Sequence, residues 1–302
     1  MAGKYWPRRV QTTKLSQLYR KWIILFNPSK RLMPEAALTN LWLAGTVVLT
    51  LVYTVWIIHL RINDASIIDL IWGAGFGLVT LTLFFYVPKT PFKILLAAMP
   101  LIWSVRYTTF IVHRNWGHGE DDRYTRLRKK IADKGWWWPA YSFFGVYSFQ
   151  AAAMLLVCSP LIIGLAADGS VVVRPVAWAG AGLWLFGFLF EAIGDLQLEL
   201  FKKKHRDYDG PYEDKPVLDS GLWRYTRHPN YFGNACMWWG IGIVACCAPM
   251  GWVGLIGPAF MNFALVFLTG KANNESKMKA RPAYRQYMER TSGFFPLPPK
   301  GF

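Results

Sequence analysis

The chain has 302 residues, 53% of them hydrophobic and 17% charged, with a formal net charge of +16. A soluble domain holds about 45–50% apolar residues; here they gather into stretches of bilayer length, which excludes an ordinary soluble fold. The positive charge lies in the loops between those stretches, where membrane orientation is the usual cause, and no motif supports nucleic acid, haem or a metal.

A helix needs about 20 mostly apolar residues to cross hydrocarbon. Residues 1–39 form a basic tail with Lys4, Arg8, Arg9, Lys14, Arg20, Lys21, Lys30 and Arg31. Its short apolar run at 22–26 reads as an interfacial amphipathic helix. The first long apolar segment lies too far from Met1 for a cleavable signal peptide. Crossings are predicted over 41–60, 66–86, 92–112, 142–167 and 176–193. The stretch 231–268 is long enough for two more, with Pro249 and Gly251 marking the turn between them. The fold class is therefore an all-α integral membrane protein of about seven helices, with 40–302 as one membrane domain. The 16 Trp cluster near segment ends, as at Trp136–Trp138 and Trp238–Trp239, where interfacial anchoring is the common role; a minority are expected to line a pocket for a flat lipophilic ligand. Cys158, Cys236, Cys246 and Cys247 lie in apolar segments and read as small hydrophobes. Their spacing matches neither a disulfide framework nor a metal site.

Three basic clusters follow the third and fifth crossings and fill the C-terminal tail. Seven crossings place all three on one side, which the positive-inside rule makes cytoplasmic. The equally basic N-terminal tail then falls opposite, a conflict that an even count would remove. Three basic segments at one face also make an electropositive mouth suited to a polyanion such as a dinucleotide phosphate. On charge alone, that reading and plain topology signalling both stand.

The densest polar segment is GLWRYTRHPNYFGNACMWWG at 221–240. Pro229 suits the first turn of a helix, where its missing N–H is no loss, so the sixth span is predicted to begin there. Its free backbone N–H groups, beside Arg227 and His228, make a candidate anion site. Tyr225, Asn230 and Tyr231 crowd the same segment; the plainer alternative is a basic membrane boundary. In the third span, Trp103, Arg106, His113 and Arg114 recur at three- and seven-residue steps. An arginine at the depth of Arg106 must be paired or face a polar cavity, and Asp69 in the second span is the expected partner. Glu191, Asp195 and Lys202 share one helix face. Acids there are expensive and usually functional; pairing with Lys202–Lys204 is the structural alternative.

Several of these motifs, in order, resemble the steroid 5-alpha-reductase C-terminal family, and within it the bacterial-type branch DUF1295. They are RHPNYFG at 227–233 with GLWRYT before it and WWG after, DASIIDLIWGAGF at 64–76, GEDDRY at 119–124, EAIGDLQLELFK at 191–202 and RPAYRQYMERTSGFFPLPPK at 281–300. The resemblance leaves out residues 1–39. It implies seven helices enclosing a cavity, a half at 174–302 that holds NADPH, a substrate side in the N-terminal half, and reduction of a C=C bond conjugated to a carbonyl, as in a 3-oxo-5-alpha-steroid 4-dehydrogenase. It assigns Glu191 and Asp195 to the adenosine half of NADPH, Lys202 to a phosphate and Asn230 to the nicotinamide carboxamide. Arg114, Tyr225, Arg227, His228, Tyr231, Asn274 and Glu275 complete the cofactor-binding set, with Asn273 beside them.

Hydride addition to an enone puts negative charge on the carbonyl oxygen, and a proton donor aimed there stabilises it. A carboxyl in an apolar site can stay protonated and donate. By resemblance Asp69 is that acid, while Trp103 stands where steroid reductases carry a tyrosine. This departure leaves a lipophilic, steroid-like or isoprenoid enone as the expected substrate, with Trp103, Arg106 and Asp69 as catalytic candidates. Tyr107, pointing in another direction, could compensate for the missing phenol. Isoprenylcysteine and phospholipid methyltransferases, which use S-adenosylmethionine, share the Arg-His-Pro-x-Tyr-x-Gly signature. They usually add a Glu-Glu pair where this chain reads Asn274–Glu275. A transporter or scaffold finds no inverted repeat to support it. Tyr284 and Tyr287 precede a Pro-rich end expected to pack back on the mouth, against the alternative of a solvated basic tail.

Overall fold

The structure is a computed structural model. It describes residues 35–301 apart from 116, 118, 169, 170, 269–274, 276 and 277. The basic tail with its run at 22–26 falls outside the described residues, as do Asn273 and Asn274. Among the described residues every regular element is helical. In chain order they are α1 (Glu35–Ile62), α2 (Ile67–Phe85), α3 (Pro91–Asn115), α4 (Asp122–Asp133), α5 (Trp138–Val157), α6 (Ser159–Ala166), α7 (Pro175–Lys204), α8 (Pro229–Ala245), α9 (Gly251–Leu268) and α10 (Pro282–Arg290). α7, α8 and α10 start on a proline, whose fixed φ and absent N–H suit a first turn.

Among the described residues, six helices are long and apolar enough to cross a membrane: α1, α2, α3, α5, α7 and α9. α8, expected as a further crossing, has 17 residues, the short end of the spanning range. It does begin at Pro229, and the turn before α9 falls where expected, with Met250 in the left-handed region (φ 57°). The single span expected over 142–167 is corrected. α5 starts earlier, passes through a π-helical turn at Ser142–Ser148 and ends at Cys158, because Pro160 opens a separate helix, α6. Trp136 and Trp137 are exposed, as interfacial anchors should be, but Trp238 is buried in the core against Phe76 and Trp103.

Glycine spacing sets the packing that matters for function. Gly180, Gly187 and Gly194 recur every seven residues on α7, and Gly233 and Gly240 do so on α8. Two turns of helix return to nearly the same face, so the glycines line one seam on each helix. A Cβ at Gly187 would stand 2.5 Å from the Gly233 carbonyl oxygen, and one at Gly233 2.6 Å from that of Gly187. Gly180 and Gly240 are matched in the same reciprocal way at 2.8 and 2.6 Å. Small residues let helix backbones touch where lipid supplies no hydrophobic drive, and these pairings make α7 and α8 antiparallel. α2 and α3 repeat the device. Gly73 lies against Thr108 and Gly77 against Ser104, which fixes an antiparallel register whose paired numbers sum to 181.

Candidate functional site

α3 runs in the same direction as α7, since Arg106 meets Glu191 and Asp195 while His113 lies 3.7 Å from Glu199. Both helices therefore end at the membrane face where α8 begins. Between them sits a polar cluster held by spanning helices. Arg106 donates through Nη1 to Asp195 Oδ2 at 3.0 Å and through Nη2 to Glu191 Oε1. Trp103 Nε1 donates to both Glu191 oxygens, at 3.2 and 3.1 Å. Asn234 Nδ2 donates to Glu191 Oε2 and Asn230 Nδ2 to Asp195 Oδ1, each at 3.2 Å. Glu191 and Asp195 are buried, at 2% and 5% exposure, so two carboxylates share one guanidinium.

The expected Asp69–Arg106 pair is therefore corrected, as is the pairing of Glu191 and Asp195 with Lys202–Lys204. The α2–α3 register explains the first. It sets Asp69 opposite position 112, six residues from Arg106, or about 9 Å at 1.5 Å per residue. Asp69 instead accepts from Arg123 Nη2 at 2.7 Å and from the Tyr124 hydroxyl at 2.9 Å. Gln150 Nε2 donates to Tyr124 Oη at 3.2 Å, and Trp72 Nε1 to Gln150 Oε1 at 2.6 Å. Both Asp69 oxygens act as acceptors, and the carboxyl docks α4 on the first turn of α2.

Asn234 joins the site without a motif of its own to mark it. The signal was present, because Asn230 and Asn234 lie four apart on α8, as Glu191 and Asp195 do on α7, and a shared face follows. The resemblance puts Asn230 and Asp195 at opposite ends of a dinucleotide. They lie at one place, 3.2 Å from each other.

Arg227 and His228 are buried, at 7% and 3% exposure, as parts of a junction with the C-terminal segment. Arg227 Nε donates to Glu275 Oε1 at 2.8 Å, and its Nη1 donates to the carbonyls of Met288 and Thr291 at 3.0 and 2.5 Å. His228 Nε2 lies 3.1 Å from the same Glu275 oxygen, and its ring stacks on half-buried Tyr231 at 5.2 Å. Burial pushes the Glu275 carboxyl up, but hydrogen bonds from His228 and Arg227, with their charges, outweigh it and hold it at about 2. Arg227 N donates to Ser292 O, Thr226 Oγ1 to Phe294 O, Leu297 N to Tyr225 O and Tyr287 Oη to Trp223 O. The C-terminal segment thus packs back on the start of α8, as expected, and Arg227 serves as its bolt. The Tyr225 side chain stays exposed.

The exposed cations at this face lie elsewhere. Lys202 feels the positive charge of Arg114 and Lys215 as well as the negative charge of Asp195, so these groups gather beside the acidic cluster. An open-sided cleft of about 720 Å³ runs along α3, lined by Thr108, Thr109, Val112 and His113. Two buried polar atoms of the cluster, Arg106 Nε and Asn234 Oδ1, lack a hydrogen-bond partner among the described residues. Buried polar groups are nearly always satisfied. Orphaned donors and acceptors beside a charged cluster fit a polar ligand such as the carboxamide end of NADPH.

The family profile described as "Protein of unknown function (DUF1295)" matches residues 55–291. The chain is also 26% identical over 227 residues to uncharacterized protein C594.04c of Schizosaccharomyces pombe, a match spanning 67% of this chain and 62% of that protein. No solved structure matches. A profile that runs from the last two turns of α1 to the end of α10, on a chain whose described residues form only helices, six of them of membrane-spanning length, places this protein in the DUF1295 family.

Proposed function

We propose that the protein is a membrane-embedded reductase that uses NADPH to saturate a C=C bond conjugated to a carbonyl in a lipophilic, steroid-like or isoprenoid substrate. The observation that carries this reading is the buried cluster of Arg106, Glu191, Asp195, Asn230 and Asn234, with its orphaned donor and acceptor. Polar groups this deep among apolar helices are costly to keep and mark function. NADPH, when bound, supplies the hydride. Asn230, Asn234 and Arg106 hold its carboxamide end, while Arg114 and Lys202 take its phosphates at the α3 and α7 ends, on the cytoplasmic side.

Beneath the cluster, Phe76, Trp103 and Trp238 pack in tilted and edge-on contacts at 4.7–6.2 Å between ring centroids and exclude water from the reacting end. With Asp69 engaged as an acceptor, the proton falls to another group. Tyr107, stacked on Trp103 at 4.8 Å, offers a phenol hydroxyl for the carbonyl oxygen of the substrate. Thermal unfolding of detergent-purified protein tests the cofactor. Stabilisation by NADPH and not by S-adenosylmethionine is expected; the opposite result reverses the reading.

A second reading keeps one observation on its side. Arg227, His228 and Glu275, the counterparts of the methyltransferase signature, meet within 3.1 Å. Under that reading the ligand is S-adenosylmethionine, and the same melting experiment separates the two.

A further inference from the structure

α7 shows three faces. Its glycine seam meets α8, and Glu191, Asp195 and Lys202 point to α3. The third face is apolar and has no partner among the described residues: Trp178, Leu185, Leu189, Ile193, Leu196 and Leu200 are 45–64% exposed at helical spacing. From Trp178 to Leu200 this stripe covers 22 residues, about 33 Å at 1.5 Å per residue, close to the roughly 30 Å hydrocarbon thickness. The stripe ends at Leu200. Lys203 and Lys204 follow three and four residues later and are exposed. They sit on the stripe side of the helix, about one turn beyond the last leucine, at headgroup level. Lys202, one residue earlier and seven after Asp195, lies on the Asp195 face of the helix instead.

We propose that Lys203 and Lys204 hold the headgroup phosphate of an anionic phospholipid and so fix the depth of α7 in the bilayer. Three features favour a lipid over a soluble anion. The lysines end an apolar stripe that acyl chains must cover. They stand on the side of α7 away from the proposed cofactor site. The nearest acid along the helix, Glu199, lies beside His113. Cations just beyond a membrane span attract anionic headgroups.

The test is native mass spectrometry of the full chain titrated with phosphatidylglycerol or phosphatidylcholine of matched acyl chains. The wild type is expected to bind phosphatidylglycerol more tightly, by about fivefold per lysine. Lys203→Gln/Lys204→Gln should lose that preference. Lys203→Arg/Lys204→Arg should keep it, as should a control, Lys129→Gln/Lys130→Gln, on the exposed face of α4. Equal binding of the two lipids by the wild type overturns the proposal. So does retention of the preference in the Gln pair, its equal loss in the α4 control, or displacement of the lipid by equimolar inorganic phosphate.

Discussion

Replacing Arg106 with leucine removes the cation shared by two buried acids, and the structure sets the size of the effect. Glu191 keeps three hydrogen bonds, two from Trp103 and one from Asn234. Asp195 keeps only the one from Asn230. Removing one partner of a buried ion pair costs about 3–5 kcal/mol. The bonds left to Glu191 put the expected loss near 3 kcal/mol, roughly a hundredfold in the folded-to-unfolded ratio. The assay is thermal unfolding in detergent, read as the fraction that elutes as a monodisperse peak after heating. The triple variant Arg106→Leu/Glu191→Gln/Asp195→Asn leaves no uncompensated charge and should recover most of the lost stability while failing to bind NADPH. If Arg106→Leu melts with the wild type, or the triple variant is no more stable than the single, the cluster is not a buried charge network and the reasoning fails.

Gly233→Ala puts a Cβ 2.5 Å from the Glu191 amide nitrogen and 2.6 Å from the Gly187 carbonyl. A C···O contact relaxes at about 3.3–3.6 Å, so α7 and α8 must part by roughly 0.7–1 Å. A loss of about 1–3 kcal/mol is expected, against no loss for Gly182→Ala, whose Cβ meets nothing within 4 Å; parallel melting curves check both. The Glu275 carboxyl is held at about 2, below its ordinary 4.5, so the stability it gives the C-terminal junction is complete above pH 4.5. It drains as pH falls toward 2. Limited proteolysis across that window should release the C-terminal segment from the wild type, whereas Glu275→Gln should release it already at pH 7, where buried Arg227 keeps two carbonyl acceptors but no anion. Asp69→Asn weakens a half-exposed pair and should cost about 1 kcal/mol or less; hydrogen exchange in α4 should rise while that in α7 stays unchanged.

The sequence made the helices legible because lipid demands long apolar runs, and Pro229 announced the start of α8 through its missing N–H. The break at Cys158 was hidden, since both sides of it are equally apolar and Pro160 is as compatible with a kink as with a fresh start. Arg106 was recognised as needing an acid, but the acid was misassigned. Sequence depth places Asp69 and Arg106 on neighbouring helices without their register, and the register is written in Gly73, Gly77, Ser104 and Thr108, small residues whose message appears only when two helices are laid together. Arg227 shows the reverse error. A basic residue at a helix N-terminus reads as an anion site, yet Glu275 and two carbonyls some sixty residues downstream claim the guanidinium first. Asn234 was readable from its four-residue step after Asn230.

Calorimetric titration of NADPH into detergent-purified protein tests the central claim most directly, with the wild type beside Asn234→Leu and Arg114→Gln/Lys202→Gln. Saturable one-to-one binding is predicted for the wild type, with loss of binding in Asn234→Leu and weakening of about tenfold or more when the two cations are neutralised. Absence of saturable heat in the wild type, or one unchanged affinity across all three proteins, contradicts the account.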